Sequence, residues 1–403
     1  MFFYKRVFLI VLDSLGIGNA HDASAFNDYG SNTLGHILEK SGKLNIPNLE
    51  FIGITDFIDN EIAKKNHVNS FTARLNELSS GKDTITGHWE MMGLKVAKSF
   101  KTFYDNGFPK ELIDLLERET KYKFIGNYAF SGTEILKKLG EEHIKTKSLI
   151  LYTSTDSVMQ IAAHEKIVDL NQLYKVCEIA RKICLKPKYF IGRIIARPFL
   201  GNDKNSFYRD NYNRRDFAVL PFKETVLDIL EKNKIYTLAL GKIGDIFSNK
   251  GIKKTIKIKN NNDGMDKIIF EINDNKNDGL YFLNLVDFDS NYGHRRDVLG
   301  YKNAIEEFDK KLGELMSVIK KDDLLILTSD HGNDPTWAGT DHTREQTFFI
   351  AYSKKINNGK FLGEMSTFAN IGATILHNFN LKKNTYMVGK NIEELFYENK
   401  IIN

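Results

Sequence analysis

The chain has 403 residues, more than one ordinary domain, and a hydrophobic fraction of 42% that supports a substantial core. Its formal net charge of +5 is diluted, and lysines and arginines alternate with acids (Lys110, Glu111, Asp114, Glu117, Arg118), a solvated-face pattern that argues against a nucleic-acid footprint. The two cysteines, Cys177 and Cys184, lie in one helix-like stretch and form neither a CxxC pair nor a disulfide framework, as expected of a reducing cytoplasm.

In chain order, Val7–Leu12 is a continuous apolar run ending at Asp13. It is too short to span a bilayer and is expected to be a buried strand, so no membrane partner is expected. Gly81–Glu90 (GKDTITGHWE) has glycines on both sides of two threonines and no apolar periodicity. From Ser99 to Asp216 the chain has its own expected strands, Leu149–Tyr152 and Tyr189–Ile194, and helices near Pro109–Thr120 and Asn171–Ile183. This reads as an inserted α/β cap domain over 99–216, leaving 1–98 and 217–403 as one discontinuous core. Pro221 is expected to open a helix with Val226, Leu227 and Leu230 facing inward, before the strand Tyr236–Leu240. Lys253–Asp278, rich in Lys, Asn and Asp, reads as a peripheral hairpin without chemistry. Leu280–Val286 is a second apolar run, followed by Asp287 and Asp289. Ala304, Ile305, Phe308, Leu312, Leu315, Met316 and Ile319 form one helical stripe. Leu324–Leu327 is a third run, followed by Asp330 and His331. Runs apolar on both faces belong to parallel strands between helix layers, so the alternation implies an α/β sandwich. In such sheets ligands bind beyond the carboxyl ends of the strands, where residues 13, 289 and 330 are delivered.

These strand ends carry the chemistry. In Thr328–Asp334 (TSDHGND), Asp330 and His331 offer a carboxylate and an imidazole, a pair suited to Mn or Zn. Asp289 and His294 lie across a turn containing Gly293, and His342 sits in the Gly-containing loop Gly339–Thr343. Singly, each has an ordinary alternative as a helix cap, a hydrogen-bonded loop or an exposed histidine. Together with Asp13 they supply enough carboxylates and imidazoles for two ions with positions left open. Two ions about 3.5–4 Å apart clamp in-line phosphoryl displacement. A nucleophile is then required, and Thr84 or Thr86 provides a hydroxyl that bridging cations activate. A helix starting there favours the phosphorylated state. In the cap, Arg193, Arg197, Arg209, Arg214 and Arg215 offer guanidinium forks of the kind that bind phosphate.

The motifs GKDTITGHWE, VDFDSNYGHRRD, TSDHGND and GTDHTRE, in this order, resemble the prokaryotic-type phosphopentomutases of the alkaline phosphatase superfamily. The resemblance runs from VLDSLGIGNA to VGKNIEEL, although several short motifs are shared with cofactor-independent phosphoglycerate mutases. It implies an alkaline-phosphatase-like three-layer core with a mainly parallel sheet and an inserted α/β cap. It implies a phosphorylated Thr84, with Thr86 as rival, and two Mn²⁺ ions. One ion would be held by Asp289, His294 and His342, the other by Asp13, Asp330 and His331. Ser154, Asp156, Arg193, Ile195 and Arg209, with Lys242 from the core, would line a pentose site. The implied activity interconverts (deoxy)ribose 1- and 5-phosphates through a pentose bisphosphate, primed by glucose 1,6-bisphosphate or a pentose bisphosphate. Partners would be small sugar phosphates, with no obligate protein. The chain departs from the family at Ile85, often Thr, and at Arg215, usually His. A phosphatase or phosphodiesterase, a phosphoglycerate mutase and a non-catalytic metal-binding protein are the alternatives.

Overall fold

A computed structural model describes residues 2–58, 67–154, 156–274 and 276–396; Met1, and Thr155 between the expected substrate residues Ser154 and Asp156, lie outside them. The chain divides into two compact units, Met1–Ser99 with Pro221–Asn403, and Phe100–Leu220.

The first unit is built on an eight-stranded sheet. Its order is Lys254–Ile256, Tyr236–Leu240, Gly279–Leu285, Arg6–Leu12, Asp323–Thr328, Thr347–Tyr352, Ser70–Leu75, Phe361–Met365. The first five strands are mutually parallel, and Thr347–Tyr352 runs against both its neighbours. The three apolar runs are the three adjacent central strands, and Val7 through Leu12 are fully buried. One sheet face packs Phe8, Ile10, Leu12, Tyr281 and Leu283 into a cluster with Ile37, Leu49, Ile268, Ile305 and Leu312 of the covering helices. On the other face, Phe282 stacks on His88 of the helix Thr84–Met91 and meets Phe247. The unit is therefore a three-layer α/β sandwich, and each large aliphatic side chain buried in it contributes roughly 1.5–3 kcal/mol. The mainly parallel α/β class expected from the sequence is the class observed.

Register positions the chemistry. Leu12 pairs with Leu285 and Val11 with Thr328, so the three strands end side by side. Asp13, Asp289 and Asp330 therefore emerge beyond the carboxyl ends of these strands, where parallel α/β sheets bind ligands.

Three local expectations are corrected. Lys253–Asp278 is not a hairpin: Lys254–Ile256 adds a parallel edge strand and Asn261–Asp274 is a helix. Met265, Ile268 and Ile272 form a narrow buried stripe that the surrounding charged residues masked. Pro221 does not open its helix, which starts at Val226; the Thr225 amide and hydroxyl both donate to Asp228 Oδ2, at 2.6 and 2.9 Å, and this box sets the start. Tyr189–Ile194 is not a strand; Tyr189 and Ile191 are buried in a loop, and the strand is Arg193–Leu200.

The second unit has a sheet ordered Phe124–Ala129, Leu149–Thr153, Val158–His164, Arg193–Leu200, Tyr208–Arg209, with Arg215–Ala218 also pairing the Arg193 strand. That last pairing carries the unit past Asp216 to Leu220. Helices Lys110–Thr120 and Leu170–Ile183 cover one face, where Cys177 and Cys184 are both buried. Helix Glu134–Thr146 packs Ile135 and Leu136 on the other. No helix among the described residues is long and apolar enough to cross a membrane.

Candidate metal centre

Asp13 and Asp330 are fully buried and Asp289 nearly so. Asp289 begins its approach in a π-helical turn, Phe288–Gly293, where the His294 amide donates to the Asp289 carbonyl at 3.0 Å. This five-residue bond is why a spacing foreign to an α-helix puts both side chains on one side. His294 Nδ1–H donates to the Thr340 carbonyl at 2.6 Å, and Nε2 lies 3.2 Å from Asp289 Oδ2. His342 Nε2 stands 3.5 Å from Asp289 Oδ1. His331 repeats the design: Nδ1–H donates to the Gly332 carbonyl at 3.0 Å, and Nε2 lies 3.4 Å from both Asp13 Oδ1 and Asp330 Oδ2. Carbonyl acceptors of this kind fix the tautomer and present Nε2 to a ligand.

The imidazoles are contiguous, with ring centroids 4.2 Å apart for His331 and His342 and 4.7 Å for His342 and His294. The structure thus joins all six residues expected from the sequence as ligands. Within them, Asp13, Asp330 and His331 present donor atoms within 4.8 Å of one another, as do Asp289, His331 and His342.

The electrostatics call for a cation. Burial and the Asp330 charge raise Asp13. Burial also opposes ionisation of Asp330, but the facing imidazoles of His331 and His88 outweigh it and bring the carboxyl down to about 2. Asp289 is held well below its ordinary value by His294 and His342 against its burial. His331, despite burial, is raised by Asp330 and Asp13. Asp13 Oδ1 and Asp330 Oδ2 are buried and accept no hydrogen bond. Bare buried carboxylate oxygens are costly without a compensating cation, and a mixed oxygen and nitrogen donor set suits Mn²⁺ or Zn²⁺. The residues present therefore fit divalent metal ions.

Thr84 opens a wholly buried eight-residue helix. Asp83 caps it, accepting from the amides of Ile85 and Thr86 at 3.1 Å. Thr84 Oγ1 lies 3.3 Å from His331 Nε2. The Thr86 hydroxyl instead donates to Asp83 Oδ2 at 2.6 Å and is used in the cap. Gly87, one turn on, lies against the Asp330 carbonyl, which a Cβ would meet at 2.2 Å. Lys242 follows the Tyr236–Leu240 strand, and its charge favours ionised Asp13.

Several supporting residues escaped sequence reasoning. Asn284 Nδ2 donates to Asp13 Oδ2 at 2.9 Å, and Asn333 Nδ2 to Asp289 Oδ1 at 2.7 Å. His88 Nδ1 lies 2.8 Å from the Thr84 carbonyl and 3.2 Å from Asp330 Oδ2. Only the Gly-His pair of the GKDTITGHWE motif signalled His88.

In the second unit, Arg193, Ile195 and Arg197 share one face of their strand by its twofold alternation. Arg193 Nε donates to Asp216 Oδ2 at 2.9 Å, and Arg197 Nε to Gln160 at 2.9 Å. Burial, with the charges of Arg214, Arg209 and Arg193, pushes Arg197 down to about 10. Arg209 lies over Gly132, where a Cβ would meet its Nη2 at 1.8 Å. Ser154 and Asp156 are half-buried just beyond the Leu149–Thr153 strand.

Among solved structures, the chain is similar to a protein from Pyrococcus horikoshii (13% identity, 94% of this chain and 99% of that one, TM-score 0.49). It is also similar to a Leishmania mexicana phosphoglycerate mutase (10%, 96% and 97%, TM-score 0.47). A third is an alkaline phosphatase superfamily protein from Vibrio parahaemolyticus (11%, 96% and 69%, TM-score 0.45). A family model described as the metalloenzyme superfamily matches residues 5–383. Matched over nearly its whole length and carrying a buried carboxylate–imidazole centre, the chain belongs to the metalloenzyme superfamily.

Proposed function

We propose that this protein is a cytoplasmic phosphopentomutase. It would interconvert (deoxy)ribose 1-phosphate and 5-phosphate through a phosphothreonine at Thr84 and a pentose bisphosphate. The observation that carries the reading is the placement of the Thr84 hydroxyl, 3.3 Å from His331 Nε2, beside the Asp13–Asp330–His331 group and at the start of a buried helix. The motif order adds the substrate class.

Asp289, His294 and His342 would hold one Mn²⁺, and Asp13, Asp330 and His331 the other. Bound there, the metals would supply neutralising charge to the transferring phosphoryl group and lower the pKa of the attacking hydroxyl. Asn284, His88 and Asn333 orient the carboxylates, so that little reorganisation is left for the transfer itself. Thr84 Oγ1 takes phosphate from a priming sugar bisphosphate such as glucose 1,6-bisphosphate. It passes that phosphate to the free hydroxyl of a pentose monophosphate, then recovers the other phosphate from the resulting bisphosphate. The helix amides after Thr84 favour its phosphorylated form. Ser154, Asp156, Arg193, Ile195, Arg209 and Lys242 are proposed as the pentose and distal-phosphate residues. No nucleic acid, membrane or obligate protein partner enters the reaction.

The test is conversion of ribose 5-phosphate to ribose 1-phosphate with Mn²⁺ and a trace of glucose 1,6-bisphosphate, with free phosphate followed in parallel. Isomerisation without phosphate release is expected. Phosphate release alone would make the protein a hydrolase on the same centre, and turnover of 3-phosphoglycerate instead would make it a phosphoglycerate mutase.

A further inference from the structure

Arg344 is 2% exposed, two residues beyond the imidazole of His342. Its guanidinium donates to the carbonyls of Glu77 and Ser79, at 2.8 and 2.9 Å, and to that of Gly81. It also pairs with the Glu77 carboxylate and forks onto Asp22, with both contacts at 2.9 Å. Its backbone amide donates to Asp28 Oδ2 at 2.8 Å, and Lys82 Nζ binds that same oxygen at 2.8 Å. All five donors of the fork are thus engaged, most of them by the segment that runs into Asp83 and Thr84. Glu90 takes the complementary groups of that segment, accepting from the amides of Leu78 and Ser79.

The other end of Arg344 is anchored at the metal centre. Thr343 and Gly332 exchange backbone hydrogen bonds at 2.9 and 3.2 Å, tying the His342–Arg344 segment to His331. A single side chain therefore connects the segment bearing two imidazoles to the segment bearing the hydroxyl.

We propose that Arg344 is a positioning residue for phosphoryl transfer, clamping residues 77–81 so that Thr84 stays at its distance from the His331–His342 segment. The inference rests on the reading of Thr84 as the phosphoryl carrier. A lysine keeps the charge but cannot span the same set of acceptors, because its ammonium is a point rather than a planar fork.

The experiment compares Arg344→Lys with Arg6→Lys, which weakens a buried pair with Asp323 elsewhere in the sheet (2.7 Å). Misplacement of a reacting group by about 1 Å costs about 100-fold in rate, so Arg344→Lys is expected to lose about that factor in kcat and in the rate of Thr84 phosphorylation by glucose 1,6-bisphosphate. KM for ribose 5-phosphate should stay within about threefold, because substrate contacts are untouched. Amide exchange in residues 77–85 of the metal-free protein should quicken by at least about tenfold, while Mn²⁺ stoichiometry is kept. Arg6→Lys should lower the unfolding temperature and leave kcat and that exchange unchanged. Wild-type kcat and exchange in Arg344→Lys would overturn the proposal, as would equal losses in the two variants. If Arg344→Lys does not fold, Glu77→Gln opens the same clamp from the other side, and wild-type kcat there would overturn it. A wild-type protein that forms no phosphothreonine would sink the Thr84 reading, and the exchange comparison would still decide the clamp.

Discussion

Replacing Gly87 by alanine separates catalysis from stability. The new Cβ would lie 2.2 Å from the Asp330 carbonyl oxygen, 2.9 Å from its carbon and 3.1 Å from Asp330 Cβ. A relaxed carbon–oxygen contact is about 3.3 Å, so the helix carrying Thr84 must retreat by about 1 Å. Neither side yields easily: Gly87 is in a fully buried helix, and Asp330 follows a central strand. Overpacking costs about 1–3 kcal/mol, but alanine gains about 1 kcal/mol over glycine in a helix interior. Net destabilisation should therefore be at most about 2 kcal/mol. The retreat also lengthens the 3.3 Å approach of Thr84 Oγ1 to His331 Nε2. A displacement of that size predicts a fall of about 100-fold in turnover. Ribose 5-phosphate isomerisation and thermal unfolding, measured on one preparation, check both numbers. A folded Gly87→Ala protein with wild-type turnover would refute the geometric coupling of Thr84 to Asp330.

Three further outcomes are expected. Thr84→Ala should abolish isomerisation while Mn²⁺ binding and the unfolding temperature are retained; normal turnover would transfer the role to Thr86. Mn²⁺ at about 100 times its Kd should stabilise the first unit by about 2.7 kcal/mol for each ion bound, raising its unfolding temperature by about 5 °C per ion, and chelation should reverse this. An unfolding temperature indifferent to both would contradict a metal centre there. Burial pushes Glu345 up to about 7 from 4.5, against the donors of Thr343 and Thr33. A carboxyl raised on folding holds its proton in the native state where the unfolded chain has lost it, so its stabilising effect declines as pH rises from about 4.5 to 7. Denaturant unfolding at about pH 5 and about pH 8 should show a decline about 3 kcal/mol steeper in wild type than in Glu345→Gln, and parallel profiles would count against the assignment.

The strands at the centre were legible because Val7–Leu12, Leu280–Leu285 and Leu324–Leu327 are buried on both faces and read as apolar runs, broken only by Asn284. Their carboxyl-end residues were legible for the same reason, since parallel register converts three distant sequence positions into neighbours. The helix Asn261–Asp274 was hidden because a peripheral helix needs only a thin stripe, here Met265, Ile268 and Ile272, beneath a charged surface. Tyr189 and Ile191 misled in the opposite sense: they are buried, but in a loop, so hydrophobicity alone did not make a strand. At the site, the metal-ligating residue types stood out, whereas Asn284, Asn333 and His88 did not. Their importance comes from cross-strand and helix-to-sheet contacts that no local spacing encodes. Arg344 was visible only as a letter in GTDHTRE, because its partners lie more than 260 positions away.

The most direct measurement is phosphopeptide mapping of the purified protein after brief incubation with Mn²⁺ and glucose 1,6-bisphosphate, followed by a chase with ribose 5-phosphate. A single phosphothreonine at Thr84 is expected, disappearing into sugar bisphosphate during the chase. Phosphate on Thr86, or none on the protein while substrate is still converted, would contradict it.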